Sequence, residues 1–455
     1  MSHTDSRKHI GDFQGKKTRV GEKFEKSRRK IVSYIFVVYW LLIFEGALRK
    51  WAFPQFHEII FFARDPIVLL IYIVAWRDHL VKWDSLLTTG MVISIIFIIL
   101  MLIQFITIDI NPLTLVYGWR MYFFYLPLAF VIKYTFNHED INKLIRRTLY
   151  VGAPLSLLVY FQYISPPYSF INAGYSTSGV FIVADNIVRT TGTFTFTAGQ
   201  TMFSASLIAM LVVAWLYRKR SPLLSMPWLV MASGAAIVTL LLTGSRTAFF
   251  MVGLIFMATF FGLLFTRSAK IKFTGTMLLV FLLVVGTVLF LGPFKKSFDA
   301  LGTRFEQAEN QEGSAIRRAF APLIIFTQHV ANAPLLGYGL GIGTSGGSLL
   351  STGKMKSVLP EDEWSRITLE VGPLFAFIYL GYRIFFSLKI FGDCIRNARN
   401  NNLLPMIFLG FIGFYILAGQ ITHNGTIQGY NWIFIGLTMA VARKQAQTPE
   451  LPTKK

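Results

Sequence analysis

Gly292–Arg366 is the only long polar interval in the hydrophobic part of this chain, and it contains Gly337-Tyr338-Gly339-Leu340-Gly341-Ile342-Gly343. It closes on Glu361-Asp362-Glu363-Trp364-Ser365-Arg366, which runs straight into an apolar stretch. Upstream, Leu242-Thr243-Gly244-Ser245-Arg246-Thr247 squeezes an arginine between two apolar runs. Which side of a membrane this interval occupies decides how the rest of the chain is read.

The 455 residues are 54% hydrophobic and only 15% charged, with 43 phenylalanines. A soluble domain carries about 25% charged residues to cover its surface, so most of this surface is expected to face lipid. No cleavable signal peptide is expected, because residues 1–30 are polar and basic and the first apolar run is too long for one. The single Cys394 excludes an intramolecular disulfide and disfavours a thiolate metal site. The net charge of +21 fits lysine and arginine stacked on cytoplasmic loops. Those residues are dispersed rather than gathered on one face, which argues against nucleic acid as a partner.

Apolar runs of spanning length fall at 31–48, 58–76, 89–108, 119–135, 145–164, 196–217, 227–243, 247–266, 273–292, 367–390, 403–419 and 429–442. The expectation is therefore an all-α integral membrane protein of about twelve transmembrane helices. Residues 1–30 form a disordered basic cytoplasmic tail, 31–292 carry helices one to nine, 293–366 make one large periplasmic loop, 367–443 carry helices ten to twelve, and 444–455 are a cytoplasmic tail. The loops after even-numbered runs are basic: Arg77 and Lys82; Lys133, Lys143, Arg146 and Arg147; Arg218, Lys219 and Arg220; Arg267, Lys270 and Lys272; Lys389, Arg396 and Arg399; Arg443 and Lys444. An error of one helix would scramble that alternation, so both termini are expected inside and Gly292–Arg366 outside.

Arginines on the outer side are few, and at a membrane edge they are costly and usually paired or functional. Arg49 follows Glu45 at i,i+4 spacing, which favours a local ion pair. Arg64 and Asp65 lie about two turns inside the second run, as packing glue or as cavity lining. Arg120 opens the fourth run and Arg189 precedes the sixth; either snorkels to lipid phosphate or binds substrate. Arg246 sits in a turn too short to fold away. Together with Arg304, Arg317 and Arg318 in the loop and Arg366 at its exit, these suit a diphosphate, since guanidinium binds phosphate bidentately and stays charged. They would also stabilise charge on a departing diphosphate.

Glu361, Asp362 or Glu363 can serve as general base on a hydroxyl, or can be an ordinary N-terminal helix charge cluster. Trp364, Tyr338 and Trp432 either stack on sugars or belong to an interfacial aromatic belt. The glycine ladder lacks dinucleotide spacing and is read as backbone packed closely against the membrane face of the site. No histidine, His57, His329 and His423 included, has metal-ligand spacing, so no metal and no cofactor are expected.

At this point several segments resemble the O-antigen polymerase and O-antigen ligase superfamily. Thr243-Gly244-Ser245-Arg246-Thr247 resembles its T-G-S-R-T signature, and Arg189-Thr190-Thr191-Gly192-Thr193-Phe194 its R-x-x-G-T-F segment. Arg317 or Arg318 followed by Pro334-Leu335-Leu336-Gly337-Tyr338-Gly339 resembles its large outer loop, and Glu370-Val371-Gly372 the E-x-G that opens the next span. The order matches over residues ~180–390. The resemblance implies a metal-independent membrane glycosyltransferase of C-type architecture in the cell inner membrane, active on the periplasmic face. Its substrate would be an undecaprenyl-diphosphate-linked oligosaccharide among membrane lipid, with a chain-length regulator or flippase as partner.

Carried over by position, Arg246, Arg317 and Arg318 would contact the diphosphate, and Glu370 would belong to the substrate site. Ligases of the family carry a His-Asn pair about nine residues before the E-x-G glutamate, where this chain has Glu361-Asp362. That departure favours a polymerase of lipid-linked repeat units, for exopolysaccharide, capsule or O-antigen, over a ligase. A polysaccharide transporter is the non-enzyme alternative, although no internal repeat supports it.

Overall fold

The computed structural model describes residues 5–174, 188–219, 222–269, 271, 276, 326–353 and 359–443. Among these, helix is the only extended regular structure. In lipid, a helix is one of the few ways to satisfy every backbone N–H and C=O internally. Chain order gives α1 (Asp5–Ala47), α2 (His57–Phe61), α3 (Arg64–Arg77), α4 (Ser85–Thr107), α5 (Pro112–Trp119), α6 (Leu126–Thr135), α7 (His138–Ile164) and α8 (Thr197–Leu216). There follow α9 (Met226–Leu241), α10 (Arg246–Phe265), α11 (Ser345–Thr352), α12 (Glu363–Val371), α13 (Pro373–Arg399), α14 (Leu404–Leu417) and α15 (Gly425–Ala442).

Seven helical stretches among the described residues are long and apolar enough to cross a membrane: Glu22–Ala52, Ile59–Arg77, Ser85–Thr107, Pro112–Thr135, Thr197–Leu216, Arg246–Phe265 and Pro373–Arg399. Met226–Leu241 and Leu404–Leu417 are shorter apolar helices. The expected run at 273–292, and Arg304, Arg317 and Arg318, lie outside the described residues. Side chains such as Ile99, Phe385 and Leu388 are more than half exposed on the outside of the bundle, which suits a hydrocarbon surrounding.

Three expectations about the apolar runs are corrected, and the basic tail carries the start of α1 at Asp5. Its last part is held by Glu25 pairing with Arg28 and Arg29 one turn away, and by Arg28 reaching Asp140 at 2.5 Å. The second run is broken at Phe62-Ala63, so Arg64 begins α3 instead of lying two turns inside a helix. The fourth run loosens into a π-turn at Arg120–Phe124, whose carbonyls take side-chain donors: Gln428 reaches Arg120 O and Met121 O, and the Tyr72 hydroxyl reaches Phe124 O. Such donors are what a loosened helix needs where water is absent. The tenth run breaks at Gly372 (φ +80°), which separates the short α12 from α13.

The core is a tight bundle in which α15 packs on α6, α14 lies between α10 and α15, and α7 lies along α9. The glycine ladder docks backbone to backbone. Tyr338 N and Gly339 N donate to Leu369 O and Glu370 O at the end of α12. A Cβ on Gly341 (φ +88°) would meet Gly118 Cα at 2.5 Å, so only glycine allows this approach to α5. Gln104 of α4 staples the contact, donating to Leu336 O and Glu370 O and accepting from Leu340 N.

Candidate functional site

At one end of the bundle, where α1, α5 and α14 finish or turn and α8, α11 and α15 begin, lies a cavity of about 680 Å³. Arg49, Arg189, Glu361, Gln420, His423 and Asn424 give its wall polar and charged groups, and Phe61, Phe62, Tyr117 and Phe196 give it aromatic ones.

Its positive side rests on a buried charge cluster. Glu45 takes Arg64 Nε at 2.6 Å and lies 3.6 Å from Arg49. Asp65 takes Arg120 through two bonds of 2.5 and 2.8 Å, plus the Tyr125 hydroxyl. Adjacent Arg64 and Asp65 thus serve two different ion pairs. Among the described residues, Arg49, Arg64 and Arg120 gather around Glu45 and Asp65. Arg49 is the cluster member on the cavity wall. Arg120, expected to touch substrate, instead lies under the rings of Phe61, Phe62 and Tyr117.

Arg189 reaches the wall because the segment behind it is pinned. Thr190 Oγ1 donates to Leu242 O at 2.8 Å, and Thr193 Oγ1 donates to Ile43 O at 2.5 Å. Gly192, at φ +56°, gives its N–H to Gln162 and receives Lys50 Nζ on its carbonyl at 2.8 Å. The Thr190–Leu242 bond sets this segment against the turn at Thr243–Thr247. There Gly244 (φ +57°) lets the chain reverse, and Arg246 starts α10 half-buried. Arg246 stands next to the Arg189 segment but is not among the wall residues.

The acidic stretch divides three ways. Glu361 is exposed on the cavity wall, with its carbonyl accepting from Gln420. Asp362 caps α12, accepting Ser365 N at 3.0 Å. Glu363 is fully buried, held by Arg366 at 2.6 Å, Arg383 at 3.0 Å and both donors of Thr422. Burial pushes its carboxyl upward, but the two guanidiniums outweigh that and hold it below its ordinary value. A carboxylate so occupied has no lone pair facing a substrate.

Arg366 and Glu370, expected on the substrate, belong to the same interior network. Arg366 spans Glu363 and Glu370 on one face of α12 and also donates to Thr422. Glu370 further accepts from the Tyr122 hydroxyl at 2.6 Å and Gly343 N at 3.0 Å. Arg383 completes it by capping the end of α14 through Tyr415 O, Ile416 O and Gly419 O, where the helix terminus is electronegative. Two arginines balance two glutamates. Trp364 is tied to Leu417 O and packed on Phe326, and Trp432 is buried in α15, so neither faces the cavity.

His423 was not expected here. Its Nδ1 lies 3.1 Å from Gly343 O, and its Nε2 lies 3.2 Å from Ser345 Oγ. A carbonyl can only accept, so the proton is assigned to Nδ1, and Nε2 accepts from the Ser345 hydroxyl. Burial, reinforced by Arg366, pushes the imidazole down to about 4, so it is neutral at pH 7. The result is a proton acceptor of fixed tautomer on the cavity wall. The signal available in the sequence was the pair His423-Asn424 in a loop expected on the outer side. Arg49 was legible as the partner of Glu45, but not as a wall residue.

Compared with protein-family models and with curated proteins, the chain matches none.

Proposed function

We propose that this chain is a multi-pass glycosyltransferase of the bacterial inner membrane that polymerises lipid-linked oligosaccharide repeat units on the outer face. The proposed topology has twelve crossings, both termini cytoplasmic and a C-type architecture. The observation that carries the reading is the 680 Å³ cavity bearing Arg49, Arg189, Glu361 and His423 together. Cations for a diphosphate, a neutral base and aromatic surface share one wall. Arg189–Phe194 and Thr243–Thr247, packed together beside this cavity, are two of the four segments that carry the family resemblance. Their Thr190–Leu242 bond supports reading them as one unit.

In the proposed reaction the growing glycan sits on undecaprenyl diphosphate. A hydroxyl of the incoming unit attacks the anomeric carbon, the bond from that carbon to the diphosphate oxygen breaks, and the diphosphate leaves with the bonding pair. Arg189 and Arg49 neutralise it, and Arg246, Arg317 and Arg318 keep the diphosphate role that the resemblance implies, the last two lying outside the described residues. The hydroxyl proton passes to Ser345 Oγ as the Ser345 hydroxyl gives its own proton to His423 Nε2, and Glu361 orients the acceptor. A base of this kind contributes about 10²–10⁴ in rate.

Ligase-type transfer to lipid A core or another acceptor is the second reading. It gains support from His423-Asn424 on the cavity wall, since the histidine absent from the expected register is supplied by another loop. Purified protein incubated in detergent with defined undecaprenyl-diphosphate-linked oligosaccharides separates these. A ladder of lengths supports the polymerase and a single shift on a separate acceptor supports the ligase. No new glycosidic bond overturns both and favours transport.

A further inference from the structure

The opposite end of the bundle holds a second cleft, of about 380 Å³, built from the start of α4, the end of α6, the last turns of α13 and the end of α15. The two ends are roughly 30 Å apart, because α4 starts at this cleft and reaches Gln104, beside Glu370, nineteen residues later. Four cations, Lys133, Lys389, Arg396 and Arg443, line it with two carboxylates, Asp84 and Asp393.

Both carboxylates are already engaged. Asp84 caps α4 through Leu87 N, takes Lys133 Nζ at 2.5 Å and accepts from the Tyr134 hydroxyl. Asp393 pairs with Arg396 one turn along α13. Among the described residues the cleft therefore carries two surplus positive charges, on Lys389 and Arg443. The Arg443 guanidinium is steered by the Tyr134 ring and carbonyl. Asn397 and Asn400 add neutral polar groups to the wall.

We propose that this cleft seats the headgroup phosphate of an anionic phospholipid. Two uncompensated cations in one concavity suit a phosphate diester. The volume exceeds what a bare phosphate fills and has room for glycerol backbone atoms beside it. Leu86, Ile390 and Met439 give the wall an apolar part, and the exposed Phe385 and Leu388 continue an apolar surface up α13 from Lys389. A free phosphate ion has no use for that surface, whereas acyl chains do. Isolated lysines and arginines snorkelling to an interface would show no selectivity among headgroups, and the experiment turns on that difference.

Delipidated protein in neutral detergent is titrated with phosphatidylglycerol, phosphatidylcholine or inorganic phosphate, and bound lipid is counted by native mass spectrometry. The expected result is one phosphatidylglycerol retained at least about tenfold more tightly than phosphatidylcholine, with the preference abolished in Lys389→Gln/Arg443→Gln. Equal retention of the two lipids, or an unchanged preference in the double variant, overturns the proposal. Displacement of phosphatidylglycerol by millimolar inorganic phosphate also overturns it and reassigns the cleft to the free ion. Should the double variant unfold, Lys389→Gln alone, at an exposed position, keeps the comparison. None of these readouts depends on glycosyl transfer.

Discussion

His423 and Glu370 are joined through a single residue: Gly343 donates its N–H to Glu370 Oε1 at 3.0 Å and accepts His423 Nδ1–H on its carbonyl at 3.1 Å. The cavity wall and the buried ion network thereby share one piece of backbone. A Cβ at this position would stand 2.7 Å from Arg366 Cγ and 2.9 Å from Glu370 Oε1. Gly343→Ala is therefore expected to displace both partners and to lower thermal stability by about 1–3 kcal/mol, the usual cost of overpacking. A melting curve in detergent checks it; an unchanged midpoint would show that the contact relaxes freely.

His423 gives a pH prediction whose sign follows from its depressed pKa. An unfolded or solvated histidine takes up its proton near 6.5, whereas this one does so at about 4. Between those values the folded site stays neutral, so catalysis keeps its base down to pH ~5 and loses it as the pH falls through about 4. Diethylpyrocarbonate should accordingly label His423 at pH 5, where ordinary histidines are protonated, and peptide mass spectrometry reads the outcome. Failure to label at pH 5 with labelling at pH 7.5 would place the pKa back near 6.5.

The same residue makes a kinetic prediction. His423→Asn keeps a donor for Gly343 O but replaces the basic imidazole nitrogen with a non-basic amide, so kcat should fall about 100-fold or more with KM little changed. Glu361→Gln should cost about tenfold or less. A reversal of that ranking in single-turnover assays would move the base to Glu361.

Arg246 was the stronger candidate in the sequence and Arg189 the weaker, but of the two Arg189 is the one on the wall. Losing a charged hydrogen bond costs about 1.5–3 kcal/mol, so Arg189→Ala should lower kcat/KM by about 10–100-fold. Arg246→Ala should cost less than Arg189→Ala. Equal losses in an extension assay would put Arg246 on the diphosphate directly.

Within the interior network, truncation of one partner upsets the balance of two arginines and two glutamates and leaves a net buried charge. Glu370→Ala should destabilise by about 3–5 kcal/mol and abolish expression before any activity can be measured. A well-folded, inactive Glu370→Ala protein would instead restore Glu370 to the substrate site.

Composition and hydropathy determined much by themselves. Long apolar runs with few charges dictate helices that face lipid, and described helices lie over the runs beginning at 89, 196 and 247 with small shifts at their ends, while the run beginning at 31 is the second part of a longer helix. The alternating glycines also announced a close backbone contact, since only a missing Cβ permits one. Glu45 and Arg49, one turn apart, announced their ion pair because helical spacing alone brings them together. Only the tertiary structure could sort the remaining charges, because their partners are set by non-local packing. Arg366 and Arg189 read alike as outer-side arginines. Yet α12 folds inward so that Arg366 is consumed by Glu363 and Glu370, while the pinned Arg189 segment opens onto the cavity. A charge in low dielectric is defined by the partner that reaches it, and for Gly343, His423 and Glu370 that partner lies dozens of residues away along the chain.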